Sequence, residues 1–121
     1  MNTLHPLLDY KYDVFICYSR QDIAFVKQVV TELKKFKYRV WRGEEILMMN
    51  PGDDYLPHVE EGISNCRVLL YIHTGHSVAS DFVQNRELPY ALQKGVPVIP
   101  YAYQYEGKEI PKNPWVIVMC S

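Results

Sequence analysis

The chain has 121 residues, 48% of them apolar and 22% charged, with a formal net charge of −1. That suffices for one domain with a single core and is too short for two. The near-neutral balance, without a clustered Lys/Arg stripe, excludes nucleic acid and anionic membrane as main partners.

Taken in order, the first apolar run, Tyr12 to Tyr18, is rich in β-branched and aromatic residues and predicts a strand. Val26, Val29, Val30, Leu33 and Phe36 then recur at helical spacing, with Ser19 or Asp22 as a cap. A second strand is predicted over Tyr38 to Trp41. The turn residues Asn50 to Asp54 lead into a helix with Leu56, Val59, Ile63 and Cys66 on one stripe and Pro57 near its first turn. A third strand follows over Arg67 to His73. Ser80 to Lys94 is helical, but Pro89 removes a backbone donor, so a break is expected there. Asn85 would cap the fresh helix, leaving Glu87 near its positive end, where the dipole favours the ionised carboxylate. The fourth and fifth strands are predicted over Val96 to Ala102 and Trp115 to Cys120, with a polar loop between them.

Alternating strands and helices imply a parallel sheet with right-handed crossovers and helices on both faces. The natural arrangement of five strands is an α/β, flavodoxin-like three-layer fold of order 2-1-3-4-5. Ligands in such folds bind beyond the carboxyl ends of the strands, at the switch point between strands one and three. Ser19 to Asp22, Trp41 to Glu45 and His73 to Ser77 converge there. The three cysteines, Cys17, Cys66 and Cys120, are odd in number and separately embedded in apolar runs, which predicts buried free thiols and a reducing, cytoplasmic setting. No run approaches the roughly 18 uncharged apolar residues of a membrane span, and nothing resembles a secretion signal.

The loops exclude several chemistries common in such folds. A phospho-acceptor receiver needs acidic residues after strand one, where this chain has Tyr18-Ser-Arg20. A flavin-phosphate loop there needs glycine, and Ser19 to Asp22 has none. Phosphate-binding and dinucleotide glycine fingerprints are missing from the sequence. His73 and His76 lack a third and fourth ligand at useful spacing, so no metal is expected.

What remains is a resemblance. Tyr12-Asp-Val-Phe-Ile-Cys-Tyr-Ser19 resembles the first conserved box of TIR (Toll/interleukin-1 receptor) domains, and Tyr38-Arg-Val-Trp41 their second strand. Pro51-Gly-Asp53 resembles the turn closing their BB loop. Glu60 to Val68 is similar to the helix-to-strand junction that follows, and Ser77 to Leu88 with Gly95 to Pro100 to the segment carrying the catalytic glutamate and fourth strand. The pattern runs in register from Tyr12 to Tyr101 and is most like the TIR domains of bacterial immune effectors.

The resemblance implies a single TIR-like domain over 1–121, expected to be the N-terminal part of a longer protein. It implies an NAD⁺ glycohydrolase, with a possible cyclase outcome, in an antiphage or immune signalling system. NAD⁺ would be the substrate, with no separate cofactor. Glu87 is then the catalytic residue, with Ser19, Arg20, Trp41 and Phe82 as substrate-binding candidates. Phe82 precedes Glu87 by five residues where the family pattern has four. Met48, Met49, Pro51 and Gly52 would form an assembly loop. The implied partners are other TIR domains and a fused or associated sensor, for which a cyclic-nucleotide-responsive module is one form. The rival reading is a noncatalytic TIR adaptor acting by homotypic contacts; a third, a nucleoside deoxyribosyltransferase-like enzyme, shares the glutamate logic.

Overall fold

The computed structural model describes residues 10–41 and 55–102. Four parallel strands form one sheet in the order β2-β1-β3-β4. They are β1 (Tyr12–Cys17), β2 (Val40–Trp41), β3 (Cys66–His73) and β4 (Val98–Ala102). This is the expected order as far as it can be followed; the predicted fifth strand, Trp115 to Cys120, lies outside the described residues.

Each crossover follows from its sequence. After β1, a short 3-10 turn (Arg20–Asp22) leads into α1 (Ile23–Lys35), whose Val26 and Val30 are buried. Phe36 was expected on that buried stripe, yet it is 73% exposed. The helix has ended there: Phe36 is the C-cap, Lys37 takes the left-handed conformation (φ 66°), and the Tyr38 amide donates back to the Leu33 carbonyl. That chain reversal swings the ring away from the stripe. The two-residue β2 is secured beside β1 by Asp13, whose carboxylate accepts from the Arg39 amide at 2.7 Å and from its guanidinium at 3.2 and 3.3 Å. Those contacts hold the Asp13 carboxyl below its ordinary pKa. Helix α2 (Tyr55–Ser64) buries Val59 and Ile63. Cys66, expected at the end of that stripe, instead opens β3.

Alternation along β1 divides the interior between two sides of the sheet. Val14 and Ile16 join Val26, Val30 and Ile72 in one cluster, beneath α1. Phe15 and Cys17 join Trp41, Ile63, Leu69 and Tyr71 in the other, under α2 and the third helical region. Cys17 and Cys66 are buried free thiols, and burial drives both pKa values up, that of Cys66 to about 12. Among the described residues no helix is long and apolar enough to cross a membrane.

The third helical region departs most from expectation. After α3 (Gly75–Val78), residues 81–93 form one continuous helical stretch, opened by the Ser80 hydroxyl accepting from the Val83 amide at 3.3 Å. Pro89 does not break it. The stretch widens into a π turn (Val83–Glu87), in which the Leu88 amide donates to the Val83 carbonyl, and continues as α4 (Leu88–Gln93). Such a bulge absorbs irregular backbone bonding without ending the helix. Asn85 therefore caps nothing; it sits in the π turn and donates to the Asp81 carboxylate at 2.5 Å.

Candidate active site at the carboxyl ends of the strands

The expected switch point is built by hydrogen bonds between the loop after β1 and the loop after β3. Ser19 caps the 3-10 turn by accepting from the Gln21 amide at 3.3 Å. Asp22 stands at the N-cap of α1 but makes no side-chain cap there. Its buried carboxylate accepts instead from the Thr74 hydroxyl at 2.6 Å and lies 2.7 Å from Nδ1 of His76. Thr74 in turn caps α3, accepting from the amides of His76 and Ser77, while the Ser77 hydroxyl accepts from the Thr74 amide at 2.9 Å. This reciprocal pair is a capping box.

The network reaches the π turn. Ser77 donates to the Tyr71 hydroxyl at 3.2 Å, and the Gln84 amide nitrogen donates to that hydroxyl at 3.2 Å and to the Ser77 carbonyl at 3.0 Å. Sequence reasoning brought these loops together but gave Asp22 only a capping role and did not single out Thr74 or Gln84. Only the neighbouring hydroxyls and the capping pattern Thr74-Gly-His-Ser77 offered a signal.

Glu87 closes the π turn and is 6% exposed. Among the described residues no donor contacts its carboxyl, and burial raises its pKa to about 8. The expectation of an ionised group at a helix N-terminus is therefore overturned. Glu87 lies inside a continuous helical stretch, away from free amides, and desolvation favours the neutral acid. Its charge is felt at Cys17, the last residue of β1, whose thiol it pushes up further. Val83 and Leu88, at either end of the π turn, share a core cluster with Cys17.

The other candidates are unequally placed. Ser19 is largely buried at the switch point and Arg20 beside it is exposed. Phe82 is half-buried, packed on the cluster that holds Val83 and Leu88. Trp41 is 3% exposed and stacked on Phe15, with ring centroids 4.5 Å apart and planes 10° apart, so in this structure its ring is occupied by core packing. Met48, Met49, Pro51 and Gly52 lie outside the described residues. A separate cleft of about 210 Å³ between α2 and α4 is lined by Leu56, Glu60, Arg86 and Pro89, and Glu87 does not line it.

The sequence profile of the TIR domain matches residues 14–118. The chain belongs to the TIR domain family. Among solved structures it is similar to the TIR domain of the Toll-related receptor TRR-2 from Hydra magnipapillata. That match has 19% identity and a TM-score of 0.69, and covers 90% of this chain and 81% of the other. It is similar at 16% identity and a TM-score of 0.69 to a metazoan TIR-STING receptor from C. gigas, with 92% of this chain matched to 37% of that one. At such identities the likeness concerns the fold. No curated protein matched the chain.

Proposed function

We propose that this TIR domain cleaves the nicotinamide–ribosyl bond of NAD⁺ in an immune signalling system, with Glu87 as the catalytic residue. One observation carries the reading: a carboxyl group held in the core without a hydrogen-bond donor among the described residues. Such a group is costly to fold around, and strongly perturbed acids cluster at functional sites.

The chemistry suits a single acid. Nicotinamide in NAD⁺ is a cationic leaving group: as the bond from ribose C1′ to the ring nitrogen breaks, the electron pair goes to nitrogen and nicotinamide departs neutral, needing no proton. Positive charge grows on the ribosyl ring, and water adds to C1′ and loses a proton to complete hydrolysis. The neutral resting acid becomes useful when the substrate arrives, since a cation within about 4–6 Å favours the carboxylate. That carboxylate then stabilises the oxocarbenium-like transition state in a site of low polarity. Substrate must displace the cover over Glu87 to reach it. Phe82 is the candidate ring face for a cationic or aromatic group, and Ser19 and Arg20, in the turn after β1, are the candidates for ribose hydroxyls or phosphate. The TIR-STING receptor, longer than this chain, is a precedent for a TIR domain within a larger receptor and supports a sensor partner.

The test is nicotinamide release by wild type and Glu87→Gln at matched folding. An interaction made chiefly in the transition state should lower kcat by about a hundredfold or more, roughly 3 kcal/mol, with little change in KM. Glu60→Gln, on α2, serves as the control carboxylate. Full activity in Glu87→Gln, or an equal loss in the control, would reject the assignment; no release from any variant at high concentration would favour the adaptor.

A further inference from the structure

Phe82 and Glu87 are five residues apart. On an uninterrupted α-helix that interval turns the second residue about 140° away from the first, so ring and carboxyl would leave different sides of the helix. The π turn Val83–Glu87 fills the interval completely, and the bond from the Leu88 amide to the Val83 carbonyl widens one turn by one residue. The phase is restored by that extra residue. Phe82 packs on the core cluster containing Val83 and Leu88, and Glu87 is buried beside Leu88.

A widened turn needs something to hold it open, because the backbone gains a more regular ladder by relaxing to α geometry. Gln84, inside the turn, has its two amide hydrogens directed at the Tyr71 hydroxyl and the Ser77 carbonyl. Those acceptors belong to β3 and α3, so one side chain ties the turn to two elements at the carboxyl end of the sheet.

We propose that Gln84 is the positioning residue of this site: by pinning the π turn to Tyr71 and Ser77 it keeps Glu87 in the core on the side shared with Phe82. The inference deepens the proposed role of Glu87 and rests on it, so the experiment measures position and activity separately. Glutamate is ¹³C-labelled at its carboxyl carbon, the Glu87 resonance is assigned with Glu87→Gln, and its titration is followed in wild type, Gln84→Leu and the milder Tyr71→Phe. Nicotinamide release is measured in parallel. The wild-type midpoint should lie near 8. In both variants it should fall toward the ordinary value of about 4.3, with kcat lowered tenfold or more and KM changed by less than about twofold. Gln28→Leu, on the exposed face of α1, should alter neither. An unchanged Glu87 midpoint in the two variants, or a wild-type midpoint in the ordinary range, would overturn the proposal. Tyr71→Phe alone decides if Gln84→Leu does not fold. A lowered midpoint in a series with no nicotinamide release would support the positioning role while removing the NAD⁺ reading.

Discussion

A glutamic acid that keeps its proton up to about pH 8 couples folding to pH in the direction opposite to most carboxylates. In the unfolded chain it titrates near the usual value of about 4.3, so between that pH and 8 the folded state binds one proton more than the unfolded state. Stability should be fullest below about pH 4.3 and fall as pH rises through 8, at up to about 1.4 kcal/mol per pH unit. Glu87→Gln has no proton to lose. Urea unfolding of the two proteins across pH 4 to 9 isolates this contribution: the curves should nearly agree at the acid end, and the variant should be the more stable at pH 9. Parallel curves would mean that the carboxyl is solvated. The motif singles out Glu87 as the candidate, but its charge state was not legible, since burial depends on residues such as Val83, Leu88 and Cys17 coming together in one core cluster from distant parts of the sequence. Asp22 was hidden for a related reason. Its place suggested a helix cap, whereas its actual partners, Thr74 and His76, are more than fifty residues away.

At the scale of elements, the apolar runs of β1 and β3, the two inner strands of the sheet, were readable because centrally placed parallel strands leave nearly uninterrupted hydrophobic stretches. The π turn was not. Sequence rules treat Pro89 as a break, yet burying Val83, Leu88 and Ala91 together keeps the helix intact at the cost of one irregular turn. Its end was legible: Gly95, with φ 73°, lets the Val96 amide reach the Ala91 carbonyl and the Gly95 amide reach that of Leu92, the Schellman arrangement. Gly62 shows a different use of glycine. A Cβ there would come within 2.7 Å of Cε2 of Trp41, whose ring is fixed from its other side by Phe15. Helix α2 can lie this close to β2 only without a side chain at 62. Gly62→Ala should therefore destabilise the domain by about 1–3 kcal/mol, the range of overpacking in a filled core, despite alanine's better helix propensity. Thermal and urea unfolding will measure it; a neutral or stabilising substitution would show that the Trp41–Phe15 stack has room to shift.

At the scale of the whole molecule, the proposed chemistry and the proposed assembly use different parts of the chain, so they can be separated genetically. Glu87 is an interior group at the end of the π turn, while the assembly expectation falls on Met48, Met49, Pro51 and Gly52, in a segment outside the described residues. Flexible Met side chains suit adaptable contacts between like surfaces, and a charge placed among them should disfavour association by the cost of desolvating it. If assembly switches the enzyme on, specific activity per domain should climb with protein concentration in wild type and stay near its floor in Met48→Asp. Glu87→Gln should behave in the opposite way, self-associating like wild type by light scattering while releasing nicotinamide about a hundredfold or more slowly. A neutral isostere in the interior leaves the outer surface unchanged. The double pattern discriminates between the two readings of the domain. An adaptor would lose association in Met48→Asp yet show no nicotinamide release in any protein. Specific activity that stays flat with concentration and is untouched by Met48→Asp would instead mean an enzyme whose switch lies elsewhere in the chain or in its partner.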